Sequence, residues 1–568
     1  MDSARISRRI RVARGLESAD LLLTNARVVN VFNGEIEEAA VAICDGVIAG
    51  VGDYTEAAET VNLAGKYLLP GFIDGHTHIE SSMLDIGQYA RAVVARGTTG
   101  IVTDLHELAN VTGIEGISYI IEASRDLPLD VNVMAPSCVP ATHLETSGAG
   151  LDAGAVARVL SLSGVIGLGE MMNFPGVLFG DEQVLTKLSF AAGRVKDGHA
   201  PGVTGRDLNA YAAAGIGSDH ESTRLAEARE KLARGLHIMI REGSTEKNLE
   251  ELLPLVNERT AHRCFFVVDD RSCSDLQRDG DMDAIVRKAV RLGMDPVTAV
   301  RLATLNPALY FGLKQTGAVA PGYRANLAVV DDLESFAVRE VYFEGRLVAR
   351  DRRALFEPGI TAPEALRRSM RVKPFGEDAL AVNTSTETPV IGLVPGQIVT
   401  RYLKENITQV PDLARDIIKI AVVERHHGTG NIGVGLVQGF GLKEGALASS
   451  VAHDSHNIIC VGASDADMTA AVQAVADMGG GLAVVTGGRV TASLALPVAG
   501  LMSDRPLEEV VADFELLEAA AVRTGTGLKA PFAALSFLAL PVIPELKLTD
   551  LGLVDVGAFK IIGKQDGA

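Results

Sequence analysis

The run GFIDGHTH (71–78) ends in His76-Thr77-His78. Side chains two residues apart on a strand point the same way, so both imidazoles can reach one metal ion. Further along, Glu170, His199, His220 and Asp269 stand at the ends of other apolar runs. Imidazole and carboxylate are the donors that suit Zn, Mn or Fe. Six such groups exceed what one tetrahedral ion takes, and Glu170, a carboxylate placed to bridge, points to a two-metal site. Two divalent ions sharing a hydroxide bring the pKa of bound water toward neutrality, which is the chemistry of metal-assisted hydrolysis.

These residues need a scaffold that brings distant strand ends together. Eight short apolar runs occupy 71–78, 100–107, 130–138, 164–172, 195–202, 214–221, 235–243 and 264–271, separated by helical stretches such as SYIIEASRD (118–126) and TRLAEAREKLARG (223–235). Strand–helix alternation implies parallel strands with right-handed crossovers. Eight units close into a TIM-type (β/α)8 barrel, whose catalytic residues sit at the C-terminal strand ends. The polar residues His76, His78, Asp104, His106, Glu170, His199, His220 and Asp269 all end such runs.

The rest of the chain divides around this region. Residues 1–70 hold an Arg-rich helix (RISRRIRVARG) and the first part of a small β domain, with hairpin signals at Asn33-Gly34 and Asp45-Gly46. The barrel domain is expected over 71–312. The same β texture returns over 313–365 and completes a small flanking β-sandwich from both ends of the middle region. Residues 366–568 read as a C-terminal α/β (α+β) domain. The fold class is therefore α/β.

At 568 residues, with 47% hydrophobic and 22% charged residues, the chain can bury several cores. Its formal charge of −19 argues against sequence-independent nucleic-acid binding, which needs a basic footprint. Five scattered cysteines form no disulfide framework and suit a reducing compartment, so they read as inert. The run FAALSFLALPVIP (532–544) is too short and too Pro-interrupted to span a bilayer, and the start shows no signal-peptide core. A cytoplasmic protein without membrane or nucleic-acid partners is expected.

The blocks themselves are specific. PGFIDGHTHIESSM (70–83) resembles the opening metal motif of the amidohydrolase superfamily, in its adenine deaminase branch. VTDLHELANV (102–111), GLGEMMNFPGV (167–177), DGHAPGVTGRDLNAY (197–211), SDHES (218–222), MIREGS (239–244) and VDDR (268–271) continue the likeness, as do GFGLKEGALASSVAHDSHNI (439–458) and LPVIPELKLTD (540–550). The resemblance implies hydrolysis of adenine to hypoxanthine and ammonia, with two divalent ions per chain, Mn2+ foremost and Fe2+ or Zn2+ as alternatives. It implies His76, His78, Glu170, His199, His220 and Asp269 as metal ligands, with Asp269 also shuttling the proton of the attacking water. Asp104, His106, Asp270 and Arg271 would hold the purine. Glu80, Glu107 and Glu221 are the further candidates for acid catalysis. A homo-oligomer, a dimer, is expected by the same resemblance.

Three departures fall on the rim of the pocket: Leu105 in the second block, Ser272-Cys273 after VDDR, and Gly280-Asp281-Met282-Asp283. They keep open another aminopurine or aminated heterocycle as substrate. Hydrolysis of a cyclic amide is a second alternative, but those enzymes usually carry lysine where this chain has Glu170. A non-catalytic barrel would have lost ligands, and all six positions are filled. The other zinc solution to base deamination needs P-C-x-x-C, which the sequence lacks.

The remaining histidines read as structural or peripheral. His237, in an apolar run, is expected in the core, and His143 and His262 in loops. The stretch GTGNIG (428–433) after His426-His427 matches G-x-G-x-x-G but leads into a strand, so it lacks phosphate-cradling geometry. Met171-Met172 reads as packing beside Glu170. VAHDSHN (451–457), with His453 and His456, is expected to form a lid over the barrel mouth that keeps water out.

Overall fold

The computed structural model describes residues 3–394 and 396–562. A helix, Ser3–Ala13, opens the chain and packs on the strands that follow. The small β unit is a single nine-stranded sheet assembled from both ends of the middle region, where a two-sheet sandwich was expected. Alternating apolar residues do not distinguish one sheet with two covered faces from two stacked sheets. Leu21 and Leu23 enter one core and Leu22 the other, as the period of two requires. The two sequence halves meet where Tyr67–Pro70 pairs antiparallel with Leu327–Val330. Asp45 and Gly46 both take positive φ, the turn that suits a two-residue hairpin.

The middle region carries eight short strands: Phe72–Thr77 (β1), Thr98–Asp104 (β2), Asp130–Ala135 (β3), Val165–Met171 (β4), Val195–Gly198 (β5), Ser218–Asp219 (β6), His237–Arg241 (β7) and Cys264–Val267 (β8). They form a five-stranded parallel sheet, β5-β4-β3-β2-β1, and a three-stranded parallel sheet, β6-β7-β8. Backbone hydrogen bonds join the two at both seams. Gly217 N–H donates to Lys196 O at 2.9 Å, Asp269 N–H to His76 O at 2.9 Å, and His78 N–H to Asp269 O at 3.1 Å. Helix Ile114–Ala123 lies between β2 and β3 and helix Met282–Arg291 follows β8, and both bury their apolar faces.

The last part of the chain builds an eight-stranded sheet, antiparallel except where Thr388–Leu393 runs parallel beside Ile432–Gln438. Its two faces are both covered. Ala421, Val423, Cys460 and Val485 pack against helix Asp465–Asp477 through Met468, Val472 and Val475. Ile420, Val422, Val461 and Val484 face the other way, into the core shared with the parallel-strand region. Helix Leu507–Arg523 and a three-stranded antiparallel sheet beginning at Leu546–Thr549 complete this part. No helix among the described residues is long and apolar enough to cross a membrane.

Candidate active site

Every group that converges here stands at the C-terminal end of a parallel strand. His76 lies on β1 with His78 one residue beyond it, Asp104 ends β2, Glu170 is on β4, and Arg241 ends β7. His199 and His220 directly follow β5 and β6, and Asp269 lies two residues past β8. Asp269 takes a left-handed φ of 63°, fixed by the two backbone hydrogen bonds with His76 and His78.

Glu170 is the hub. Its Oε1 lies 3.3 Å from His78 Nε2, 3.5 Å from His106 Nδ1 and 3.8 Å from His76 Nε2. Its Oε2 lies 2.5 Å from His199 Nδ1 and 3.3 Å from His220 Nε2. Asp269 Oδ1 lies 3.1 Å from His78 Nε2 and 3.4 Å from His76 Nε2. The rings of His76 and His220 stack with centroids 4.3 Å apart. The structure thus brings all six expected ligands together, and places His106 against them as well.

Several groups outside the six orient them. His78 Nδ1–H donates to the Asp104 carbonyl at 2.9 Å, so its Nε2 presents a lone pair to the cluster. Asp104 Oδ2 accepts the Glu170 backbone N–H at 2.9 Å. A Cβ at Gly169 would fall 1.9 Å from that oxygen, which explains the glycine in GLGE. Asp104 therefore braces Glu170 and does not border the cavity. Arg241 Nη1 donates to Asp269 Oδ2 at 2.8 Å and also pairs with Glu221. Glu221 sits 3.4 Å from His220 Nε2, behind the cluster. Burial alone would raise the Asp269 carboxyl, but Arg241 and the neighbouring imidazoles hold it well below the usual carboxylate range.

The donor set fits a divalent cation. Buried His76 Nε2, His106 Nδ1 and Asp104 Oδ1 have no hydrogen-bond partner among the described residues, although they face other donors of the cluster. Buried polar atoms left unpaired are costly, and a cation offers each nitrogen or oxygen lone pair a partner. The donor atoms of His76, His78 and Asp269 lie within 4.8 Å of one another, as do those of His76, Glu170 and His220.

Beside the cluster lies a cavity of about 130 Å³. Glu80, Glu107, Asp270 and Arg271 border it from the barrel side, and His453, His456 and Phe537 from the C-terminal part. Glu80 Oε1 accepts the Leu108 N–H at 2.9 Å, while its buried Oε2 is unpartnered. Burial pushes the Glu80 carboxyl up to about 7. Asp270 accepts from Ser81 Oγ. The guanidinium of Arg271 donates to the carbonyls of Glu242 and Gly280, so it braces the pocket rim. His106, Glu221, Met171 and Met172 do not border the cavity.

The segment 451–457 covers this cavity through Glu107. His453 Nδ1 lies 2.6 Å from Glu107 Oε1, and His456 Nε2 contacts Oε2. Burial would raise Glu107, but His453, His456 and His106 more than offset it and keep the carboxylate well below its usual range. His426 and His427 serve the same segment and its neighbour, meeting the carbonyls of Ser455 (2.7 Å) and Ser147 (3.0 Å). His237 is half-buried against Tyr310, and His143 and His262 are exposed.

Residues 67–348 match the amidohydrolase family, and residues 396–560 match the adenine deaminase C-terminal domain. An adenine deaminase of Dehalococcoides mccartyi is 59% identical over 99% of both chains. The chain belongs to the adenine deaminase family. An adenine deaminase of Desulfatibacillum aliphaticivorans is 51% identical, covering 97% of this chain and 98% of its own. "Adenine deaminase 2" of Carboxydothermus hydrogenoformans is 49% identical over the same shares. Among solved structures, N-isopropylammelide isopropylaminohydrolase from Burkholderia multivorans is similar with TM-score 0.44 and 20% identity, over 59% of this chain and 100% of its own.

Two buried cations that contact the cluster or its loops lie outside the sequence reading. Arg241 ends a parallel strand like the ligands do, and that position was the available signal. Lys231 is fully buried, 2.9 Å from Asp219 Oδ2 and 2.7 Å from both Ala200 O and Glu227. It ties together the loops that carry His199 and His220. Nothing in its helical context, TRLAEAREKLARG, distinguishes it from the solvated charges around it.

Proposed function

We propose that this chain deaminates adenine by hydrolysis, giving hypoxanthine and ammonia. The observation that carries the reading is the buried His/Glu/Asp cluster centred on Glu170, set against a small cavity bordered by Glu80, whose Oε2 has no hydrogen-bond partner among the described residues. Two divalent ions, Mn2+ by family resemblance, would be held by His76, His78, Glu170, His199, His220 and Asp269 and would supply an activated water. Imidazole donors suit Fe2+ and Zn2+ as well, so the donor set is compatible with either. We read the five- and three-stranded sheets as two arcs of one (β/α)8 barrel over 71–312, since hydrogen bonds bridge both seams.

The protein's own groups then divide the proton traffic. Asp269, fixed by Arg241, takes one proton from the attacking water and passes it to the amino group, which leaves as ammonia. Glu80 Oε2 gives its proton to the ring nitrogen beside the reacting carbon, so that the ring can accept the incoming electron pair. The last proton of the water is lost as the new carbonyl forms and restores Glu80. The covered cavity keeps bulk water from the site. A substrate panel tests the reading. Adenine should be consumed, with hydantoin and dihydroorotate untouched; turnover of a cyclic amide in place of adenine would overturn it.

A further inference from the structure

We propose that His453, contributed by the C-terminal part of the chain, contacts the substrate directly, its Nε2 donating a hydrogen bond to a purine nitrogen other than the one Glu80 protonates. The inference rests on the aminopurine reading above. Its basis is the different way in which two neighbouring imidazoles are used.

His456 is spent on both sides. Its Nδ1 accepts the Ala452 N–H at 3.1 Å, so its Nε2 must carry the hydrogen that meets Glu107 Oε2. That leaves Oε1 of the ionised Glu107 to accept from His453 Nδ1 at 2.6 Å. His453 Nε2 has no partner among the described residues, and the ring borders the cavity. The orientation is locked. The ring stacks on Phe537 with centroids 4.7 Å apart and planes 20° apart, and the Phe537 carbonyl accepts from buried Lys547 Nζ at 2.9 Å. Glu107, Asp270 and Asp454 surround the imidazole with negative charge, which favours its protonated form and so a donor at Nε2. An aminopurine offers unprotonated ring nitrogens as acceptors. A fixed, aromatic-backed donor in the wall of a small cavity is suited to one of them.

Two isosteric variants of the metal-loaded enzyme separate contact from support. In H453N the amide nitrogen occupies the place of Nδ1 and keeps the Glu107 bond. In H453Q it occupies the place of Nε2 and keeps the donor into the cavity. H453N should raise KM for adenine about tenfold or more, the scale of one lost hydrogen bond in a closed site, with kcat changed far less. H453Q should raise it clearly less. A wild-type KM in H453N, or a larger rise in H453Q than in H453N, would overturn the proposal while leaving the deaminase reading intact. If neither variant folds, the wild-type enzyme decides. At least one of 3-deazaadenine and 7-deazaadenine should show the same tenfold rise, and KM values equal to that of adenine for both would overturn the contact. A wild-type protein that does not turn over adenine at all removes the reading and the inference with it.

Discussion

Glu107 and His453 are 346 residues apart in the chain and 2.6 Å apart in space. One belongs to the first turn of the helix His106–Thr112 after the second parallel strand, the other to a turn between strands of the C-terminal sheet. The site is therefore composite, and the C-terminal part is a wall of the reaction chamber. Glu107→Gln replaces an acceptor of two hydrogen bonds by a group that can accept on one side only. Turnover should fall about 100-fold or more, because the cover over the cavity loses its anchor. Activity at the wild-type level in this variant would mean that the segment 451–457 has no part in closing the site.

The pairing also has a pH signature. Burial would lower the His453 imidazole, but Glu107, aided by Asp270 and Asp454, raises it to about 9. Its folded pKa thus lies above the unfolded value of about 6.5. The charged pair is fully present below that value and is lost as pH rises through about 9. KM for adenine should climb in the wild type above pH 9 and stay flat there in H453N. Parallel profiles for the two proteins would contradict this assignment.

Arg241 fixes Asp269 and Glu221 at once. Arg241→Met should weaken metal binding about 10–100-fold, the usual cost of losing an orienting partner behind a ligand. Metal titration of the apoprotein measures it directly.

Glu170→Gln removes a carboxylate oxygen from the centre of the cluster. Fewer than two metal equivalents should remain after dialysis, and a fully loaded, active variant would refute the bridging role.

Lys231→Met strips the cation from a buried pair and leaves Asp219 uncompensated. The variant should lose about 3–5 kcal/mol of stability in denaturant melts, with the loops carrying His199 and His220 loosened together.

Much of this was legible in the residues. The eight apolar runs coincide with β1 to β8 because strands buried on both faces are mostly apolar, and the polar residues gathered at their C-terminal ends stand out. His76, His78 and Glu170 were readable for that reason. The backbone contacts of Asp104 and Arg271 were not, because a buried charge that braces backbone and one that meets substrate look alike in sequence. Asp104 turned out to hold the Glu170 backbone, and Arg271 the carbonyls of Glu242 and Gly280. The meeting of Glu107 with His453 and His456 was visible only as a polar block in an apolar domain, since local pattern carries no information on which distant loop it faces.

The most direct test is adenine turnover by the Mn2+-reconstituted protein, with bound metal counted on the same sample. Hypoxanthine and ammonia in equal amounts, at about 1 s⁻¹ or faster and with two metals per chain, are expected. Two metals bound with no release of ammonia from adenine would contradict the proposed function.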